Sequence, residues 1–177
     1  EMQDRSARQI QLEAMLRHAI KRDELSLHYQ PQIDLASGDC VGVEALLRWK
    51  NPELGQISPG EFIPLAEQTG LILPLGQLIL RAACEQLVRW AASTKTAHLS
   101  MAVNVSARQC RQLDFAAQVL QILRETSANP CRLNLELPER PLLGELEGTV
   151  ARMEELKREG VGFALDAFGT GYSSLAY

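Results

Sequence analysis

The sequence predicts an α/β domain built on a parallel sheet with helices packed outside it. Three observations carry that expectation. From residue 99 onward, apolar runs of strand length alternate with stretches of helical period, in the order strand, helix, strand, helix, strand. Before that point, two alternating segments flank one short polar turn, a connection that joins strands antiparallel. The composition, 46% hydrophobic and 23% charged over 177 residues, is enough to bury a core and lacks the signature of disorder.

Residues 1–22 read as an amphipathic helix, because Leu12, Met15, Leu16, Ala19 and Ile20 recur at spacings of three and four. They are expected to form a linker from an upstream module, with residues 23–177 as the domain proper. Leu25-Ser-Leu-His-Tyr-Gln30 alternates as a strand does, Ala36 to Asp39 is a turn, and Cys40 to Trp49 is the partner strand. Ser58-Pro59-Gly60-Glu61 has the form of a helix start, with Ser as cap, Pro in the first position and Glu closing a capping box. Gly70 suits its end, and a longer helix follows from Pro74 to Ala92.

The alternating part then unfolds as a strand from Leu99 to Val105 and a helix from Asp114 to Thr126, stopped by Asn129-Pro130. A strand from Leu133 to Leu137 leads to a helix from Leu146 to Glu159, with Val150, Met153 and Leu156 inward and Gly160 beyond its end. A strand from Val161 to Leu165 completes the series.

Charge and cysteine usage exclude several functions. Asp and Glu total 22 against 18 Lys and Arg, a formal charge of −4, which argues against bulk attraction to a nucleic-acid polymer or an anionic membrane. No apolar run approaches the ~18 residues of a bilayer span. The first residues are too polar for a signal peptide, and a start at Glu1 reads as an excised piece. Cys40, Cys84, Cys110 and Cys131 are far apart, so buried thiols in a reducing cytosol are expected rather than disulfides or a zinc site.

In parallel α/β sheets, chemistry collects at the C-terminal ends of strands. Four consecutive parallel strands would present Glu44, Asn104, Glu136 and Asp166 at one rim. One such residue alone is more often a helix cap or a surface charge. Four together, all offering oxygen, form a set suited to Mg²⁺, Mn²⁺ or Ca²⁺ rather than to zinc or copper. Converging carboxylates also need a cation to offset their repulsion.

The run Asp166-Ala167-Phe-Gly169-Thr170-Gly171 is a tight turn rich in N–H and hydroxyl donors, able to cradle phosphate. Arg48 follows Glu44 by four residues and suits a phosphate, a base or a salt bridge across the rim. Gln30 suits either a nucleobase edge or the backbone. His18, His28 and His98 have no ligand-like spacing and read as structural. Ser106 and Ser173 have no His partner in the pattern, which argues against a serine-hydrolase triad.

Together these strings resemble one family, the EAL domain, the bacterial cyclic di-GMP phosphodiesterase module. The matching segments are Tyr29-Gln30-Pro31, Glu44-Ala45-Leu46 running into Leu47-Arg48-Trp49, Phe62-Ile63-Pro64-Leu65-Ala66-Glu67, Asn104 to Gln109, Glu136-Leu137-Pro138-Glu139, and Asp166 to Leu175. They keep the family's order along nearly the whole chain. The resemblance implies a TIM-like (β/α)8 barrel with an antiparallel first strand, of which about the first five strands are here. It implies hydrolysis of cyclic di-GMP to linear pGpG with Mg²⁺ or Mn²⁺, and Ca²⁺ as an inhibitory occupant.

By position, Glu44, Asn104, Glu136 and Asp166 are similar to the family's metal ligands, with Glu44 also counted as catalytic. Arg48 is similar to its substrate-contacting arginine, Gln30 and Leu46 lie on the guanine side, and Glu139 is similar to the acid that supports an active-site loop. A homodimer, an upstream sensor or diguanylate-cyclase-type domain, and a cytoplasmic domain within a membrane-tethered parent protein are the further expectations that the resemblance carries.

Three departures stand out. The family's paired aspartates are here Asp166-Ala167, and a methyl group cannot coordinate a second ion. This favours the alternative of a catalytically impaired domain that binds cyclic di-GMP as a sensor. Pro138 and Arg140 replace the family's usual residues beside Glu136 and Glu139. The chain ends at Tyr177, before the family's later lysine, acidic ligands and glutamine. A full barrel takes roughly 250 residues, so the domain is expected to be incomplete at its C-terminus.

Overall fold

The structure, a computed structural model, describes residues 2–138 and 146–166. It opens with helix α1 (Met2–Ala19), then strands β1 (Leu25–Ile33), β2 (Cys40–Asn51) and β3 (Gly55–Ile57). Helices α2 (Pro59–Thr69) and α3 (Ile72–Ala91) lead to β4 (Ser100–Asn104), a one-turn helix α4 (Ala107–Cys110) and α5 (Phe115–Thr126). A 3-10 turn over Pro130–Arg132, β5 (Leu133–Pro138), α6 (Leu146–Arg158) and β6 (Gly162–Asp166) complete it.

Among the described residues the strands form one sheet in the order β1-β2-β4-β5-β6, with β3 paired to β2. β1 runs antiparallel to β2, and β2, β4, β5 and β6 run parallel to one another. This is the expected α/β architecture, an antiparallel first strand followed by parallel βα units, and it holds part of a TIM-like barrel.

The period of two divides each strand between two faces. Val43, Ala45, Met101, Val103, Leu133, Leu135 and Leu137 are buried on one face against Leu80, Cys84 and Leu87 of α3 and Phe115, Val119 and Ile122 of α5. A second cluster joins Leu47 and Trp49 to Phe62, Leu65 and Leu75, and takes in Leu12, Leu16 and Ala19 of α1. Trp49 meets Phe62 edge-on at 5.5 Å, and its indole N–H donates to Glu24 Oε2 over 3.1 Å. The other face carries Glu44, Leu46, Arg48, Asn104 and Glu136, none of them fully buried.

Several local expectations are corrected. α3 begins at Ile72, before Pro74, because proline is tolerated in a first turn. Ser58 precedes Pro59 as expected, but its side chain makes no capping bond, and Glu61 instead accepts from Arg8 Nε over 2.7 Å. The reciprocal capping box lies at Ser106 and Gln109. Val150 is exposed, and Thr149 is buried together with Leu156 on the inward side of α6. Gly70 does end α2, at φ 81°, a left-handed conformation that favours glycine.

Candidate functional site

Strand pairing fixes which side chains share the open face. Gln30 pairs with Glu44, His28 with Leu46 and Ser26 with Arg48 across β1 and β2. Glu44 is level with Ala102 of β4, Asn104 with Glu136 of β5, and Pro138 with Asp166 of β6. Directly paired residues point to the same face, so Gln30, Glu44, Leu46, Arg48, Asn104 and Glu136 project from one side.

The pairing also sorts these residues by height. The β2–β4 register ends at Ala45 and Val103, so Leu46 and Asn104 are each the next residue past the last pair, level with each other on the two sides of the opening. One row therefore runs His28, Leu46, Asn104, Glu136 and Ala164. The row below holds Gln30, Glu44, Ala102 and Asn134, and Arg48, Pro138 and Asp166 lie above.

Asn104 Nδ2 donates to Glu44 Oε1 over 2.8 Å, linking two of the expected ligands directly. The Val105 N–H donates to the Glu136 carbonyl at 2.9 Å, which carries the β4–β5 pairing past Asn104. Arg48 donates from Nη1 to the Leu47 carbonyl at 2.9 Å, and among the described residues it forms no ion pair across the rim. Asp166 is placed by its backbone at the end of β6. Glu139, Ala167 and the glycine turn through Gly171 lie outside the described residues.

β2 and β4 pair only as far as Ala45 and Val103. Beyond that point a cleft of about 480 Å³ opens, bordered by Leu46, Arg48, Asn104 and Glu136 from the strands and by Ile63 and Glu67 from α2. Arg108 Nη1 donates to the Glu67 carbonyl at 2.7 Å and ties the α2 wall to the segment after β4. The cleft thus has an apolar side next to a polar rim, as small-molecule sites commonly do.

No group of three or more His, Cys, Asp or Glu side chains able to hold a metal occurs among the described residues. The described oxygen donors at the rim are two carboxylates, Glu44 and Glu136, and the Asn104 carboxamide. The cysteines play no part here: Cys84 and Cys110 are buried in the core, Cys40 is half-buried and Cys131 is exposed, all as free thiols.

Two features of this face escape the sequence reading. Ile63 and Glu67 line the cleft from a helix that pattern alone marks only as amphipathic. His28, read from sequence as structural, is exposed on the same face as Gln30. Its signal was the alternation of β1 itself, which sets residues 26, 28 and 30 on one side.

A family model described as the EAL domain matches residues 13–177. The chain belongs to the EAL domain family. Among its relatives is the bifunctional diguanylate cyclase/cyclic di-GMP phosphodiesterase MucR of Pseudomonas aeruginosa, 43% identical over 169 residues, covering 96% of this chain and 24% of that protein. The cyclic di-GMP phosphodiesterase NbdA of the same organism is 39% identical over 173 residues, covering 98% of this chain and 22% of that protein. The chain therefore spans about a quarter or less of the length of these relatives.

Among solved structures, the PaMucR phosphodiesterase in complex with c-di-GMP superimposes with a TM-score of 0.89 at 42% identity. The match covers 94% of this chain and 67% of that one. The likeness extends to the fold of the described residues as a whole. Among the described residues, no helix is long and apolar enough to cross a membrane.

Proposed function

We propose that this EAL domain hydrolyses cyclic di-GMP to linear pGpG, with the substrate lying on the open face at the rim of β2, β4 and β5. The observation that carries this reading is the Asn104–Glu44 contact, set in register beside Glu136 and next to a cleft walled by Leu46, Ile63 and Arg48.

The donor set fits a hard divalent cation. Asn104 gives its N–H to Glu44, which leaves Asn104 Oδ1 and the second Glu44 oxygen as the atoms suited to an ion. Glu44, Asn104, Glu136 and Asp166 would hold Mg²⁺ or Mn²⁺. A bound ion of this kind supplies Lewis acidity toward a phosphodiester and lowers the pKa of water.

The chain's own groups divide the remaining work. Arg48 offers a planar, permanently charged fork to a non-bridging phosphate oxygen. Leu46 gives an apolar seat to a base, and Gln30 offers both a donor and an acceptor to its edge. By the family resemblance, Glu139 would be the acid that supports an active-site loop. Water adds to phosphorus, one bond from phosphorus to a ribose oxygen breaks, and the departing oxygen takes the proton. Cyclic di-GMP and one water thus give pGpG, and no side chain needs to act as nucleophile.

A second reading is favoured by Ala167, which stands where the family has its second aspartate. In it, the domain retains Arg48, Gln30 and Leu46, binds cyclic di-GMP and passes the signal to a partner or to a domain joined through α1. Titrating the intact protein with cyclic di-GMP in a calorimeter, with product followed in parallel, separates the two. Binding with pGpG release supports the enzyme, and binding without release supports the sensor. If neither the protein nor its Ala167→Asp variant binds cyclic di-GMP, both readings are wrong.

A further inference from the structure

We propose that His28 is an additional substrate-contacting residue whose imidazole packs against a purine base of the bound cyclic dinucleotide. The inference rests on the reading of the open face as a cyclic di-GMP site, and on the β1–β2 register. His28 is opposite Leu46, between the Gln30–Glu44 and Ser26–Arg48 pairs, so its side chain shares their face. It is exposed, whereas the residues flanking it in sequence, Leu27 and Tyr29, turn the other way and pack against the core.

Its height is the telling feature. His28 belongs to the same cross-sheet row as Leu46, Asn104 and Glu136. Facing Cβ atoms on paired strands lie about 5 Å apart, so the ring borders the Leu46 side chain. At least two strand spacings, about 10 Å, separate it from the Asn104 position, because β2 and β4 part there. A cyclic dinucleotide with one phosphodiester at Asn104 and Glu136 extends its purines sideways over distances of that order. The ring face of an imidazole beside Leu46 makes a flat, apolar surface of the kind on which purines stack, and its N–H groups lie in the ring plane for an edge contact.

The rest of the His28 environment assigns it no competing duty. Its alternating neighbours Leu27 and Tyr29 supply the packing of β1, with Tyr29 edge-on to Trp90 at 5.1 Å. The other exposed histidine with a defined contact, His98, meets the Cys40 carbonyl at 3.0 Å, at the opposite end of β2.

The test is cyclic di-GMP binding by the intact protein with Ca²⁺ as the divalent ion, for the unsubstituted protein, His28→Ala and His28→Phe. Loss of one base–ring contact predicts about a tenfold rise in Kd for His28→Ala. His28→Phe keeps a stacking surface and is expected within about threefold of the unsubstituted protein. A melting temperature within a few degrees of the original in both variants ties the change in Kd to the lost contact rather than to unfolding. In turnover, KM should rise with kcat unchanged. A His28→Ala Kd within twofold of the original overturns the proposal and leaves the site reading intact. If the unsubstituted protein binds no cyclic di-GMP, the site reading fails and the role of His28 fails with it.

Discussion

Asn104 and Glu44, sixty residues apart in sequence, meet at the rim of adjacent parallel strands through a 2.8 Å hydrogen bond from Nδ2 to Oε1. The contact makes each side chain part of the other's positioning, because the amide is fixed by the carboxylate and the carboxylate by the amide. Glu136, in register with Asn104 on the next strand, extends the same rim.

If these residues hold the divalent ion, removing one should cost both metal affinity and turnover. Asn104→Ala is expected to lower the rate of pGpG release at least about 100-fold, equivalent to roughly 2.7 kcal/mol of transition-state stabilisation. Mn²⁺ binding, followed by calorimetry, should weaken in the same variant. Since Asn104 is exposed, its melting temperature should stay within a few degrees of the original. Unchanged Mn²⁺ affinity would remove Asn104 from the ligand set.

The segment that leaves β4 is held by Gln109, which is 6% exposed. Its Oε1 accepts from the Ser106 N–H at 3.0 Å, while its own N–H donates to Ser106 Oγ at 3.2 Å. The carboxamide lies against Gly76 of α3, where an added Cβ would collide with it. Gly76→Ala should therefore destabilise the protein by about 1–3 kcal/mol through overpacking. Gln109→Ala should cost about 1–2 kcal/mol through loss of the cap. The double variant should cost clearly less than the sum, because the new methyl group then occupies the emptied notch. Strict additivity in denaturant unfolding would show that the two positions do not share that space.

Much of this fold is written in the order of the residues, and its exceptions have identifiable causes. The parallel strands and their rim residues are legible because their alternation is strong and their ends carry Glu, Asn and Asp. β3 is not, since three residues offer no period. It exists because Asn51 Oδ1 accepts from the N–H groups of Glu53 and Leu54, both at 3.0 Å, and turns the chain back on β2. The capping box at Ser106 has its S-x-x-Q signature in the sequence. The similar pattern at Ser58 fails because a distant residue, Arg8, recruits Glu61. The position of His28 beside Leu46 has no signal in spacing along the chain, because β pairing creates that neighbourhood across strands.

Two core thiols give a pH prediction. Burial pushes the Cys84 and Cys110 thiols up to about 11, from an ordinary value of 9.0. Between those values the native state keeps protons that the unfolded chain has released. These groups therefore leave stability unchanged below about pH 9 and lower it as pH rises toward 11, by up to about 2 kcal/mol per pH unit. Denaturant unfolding at pH 8 and at pH 10.5 measures the difference. In thiol labelling at pH 8, exposed Cys131 should react first, with Cys84 and Cys110 protected until unfolding. Labelling of Cys84 as fast as Cys131 would contradict the burial assigned to it.

Ala167 makes a separate prediction about the second ion. Restoring an oxygen donor by Ala167→Asp should raise turnover of cyclic di-GMP by at least about tenfold, or 1.4 kcal/mol, if the change removed a ligand from an otherwise intact site. If Arg48, Leu46 and Gln30 contact the substrate as proposed, affinity for it should move little.

The most direct measurement follows pGpG released from cyclic di-GMP by the intact protein in Mn²⁺, with Ala167 and with Ala167→Asp, each paired with a Glu44→Gln control. The account predicts pGpG from at least the Ala167→Asp form and its loss in the Glu44→Gln control. No pGpG from either form, or pGpG formation that survives Glu44→Gln, would contradict it.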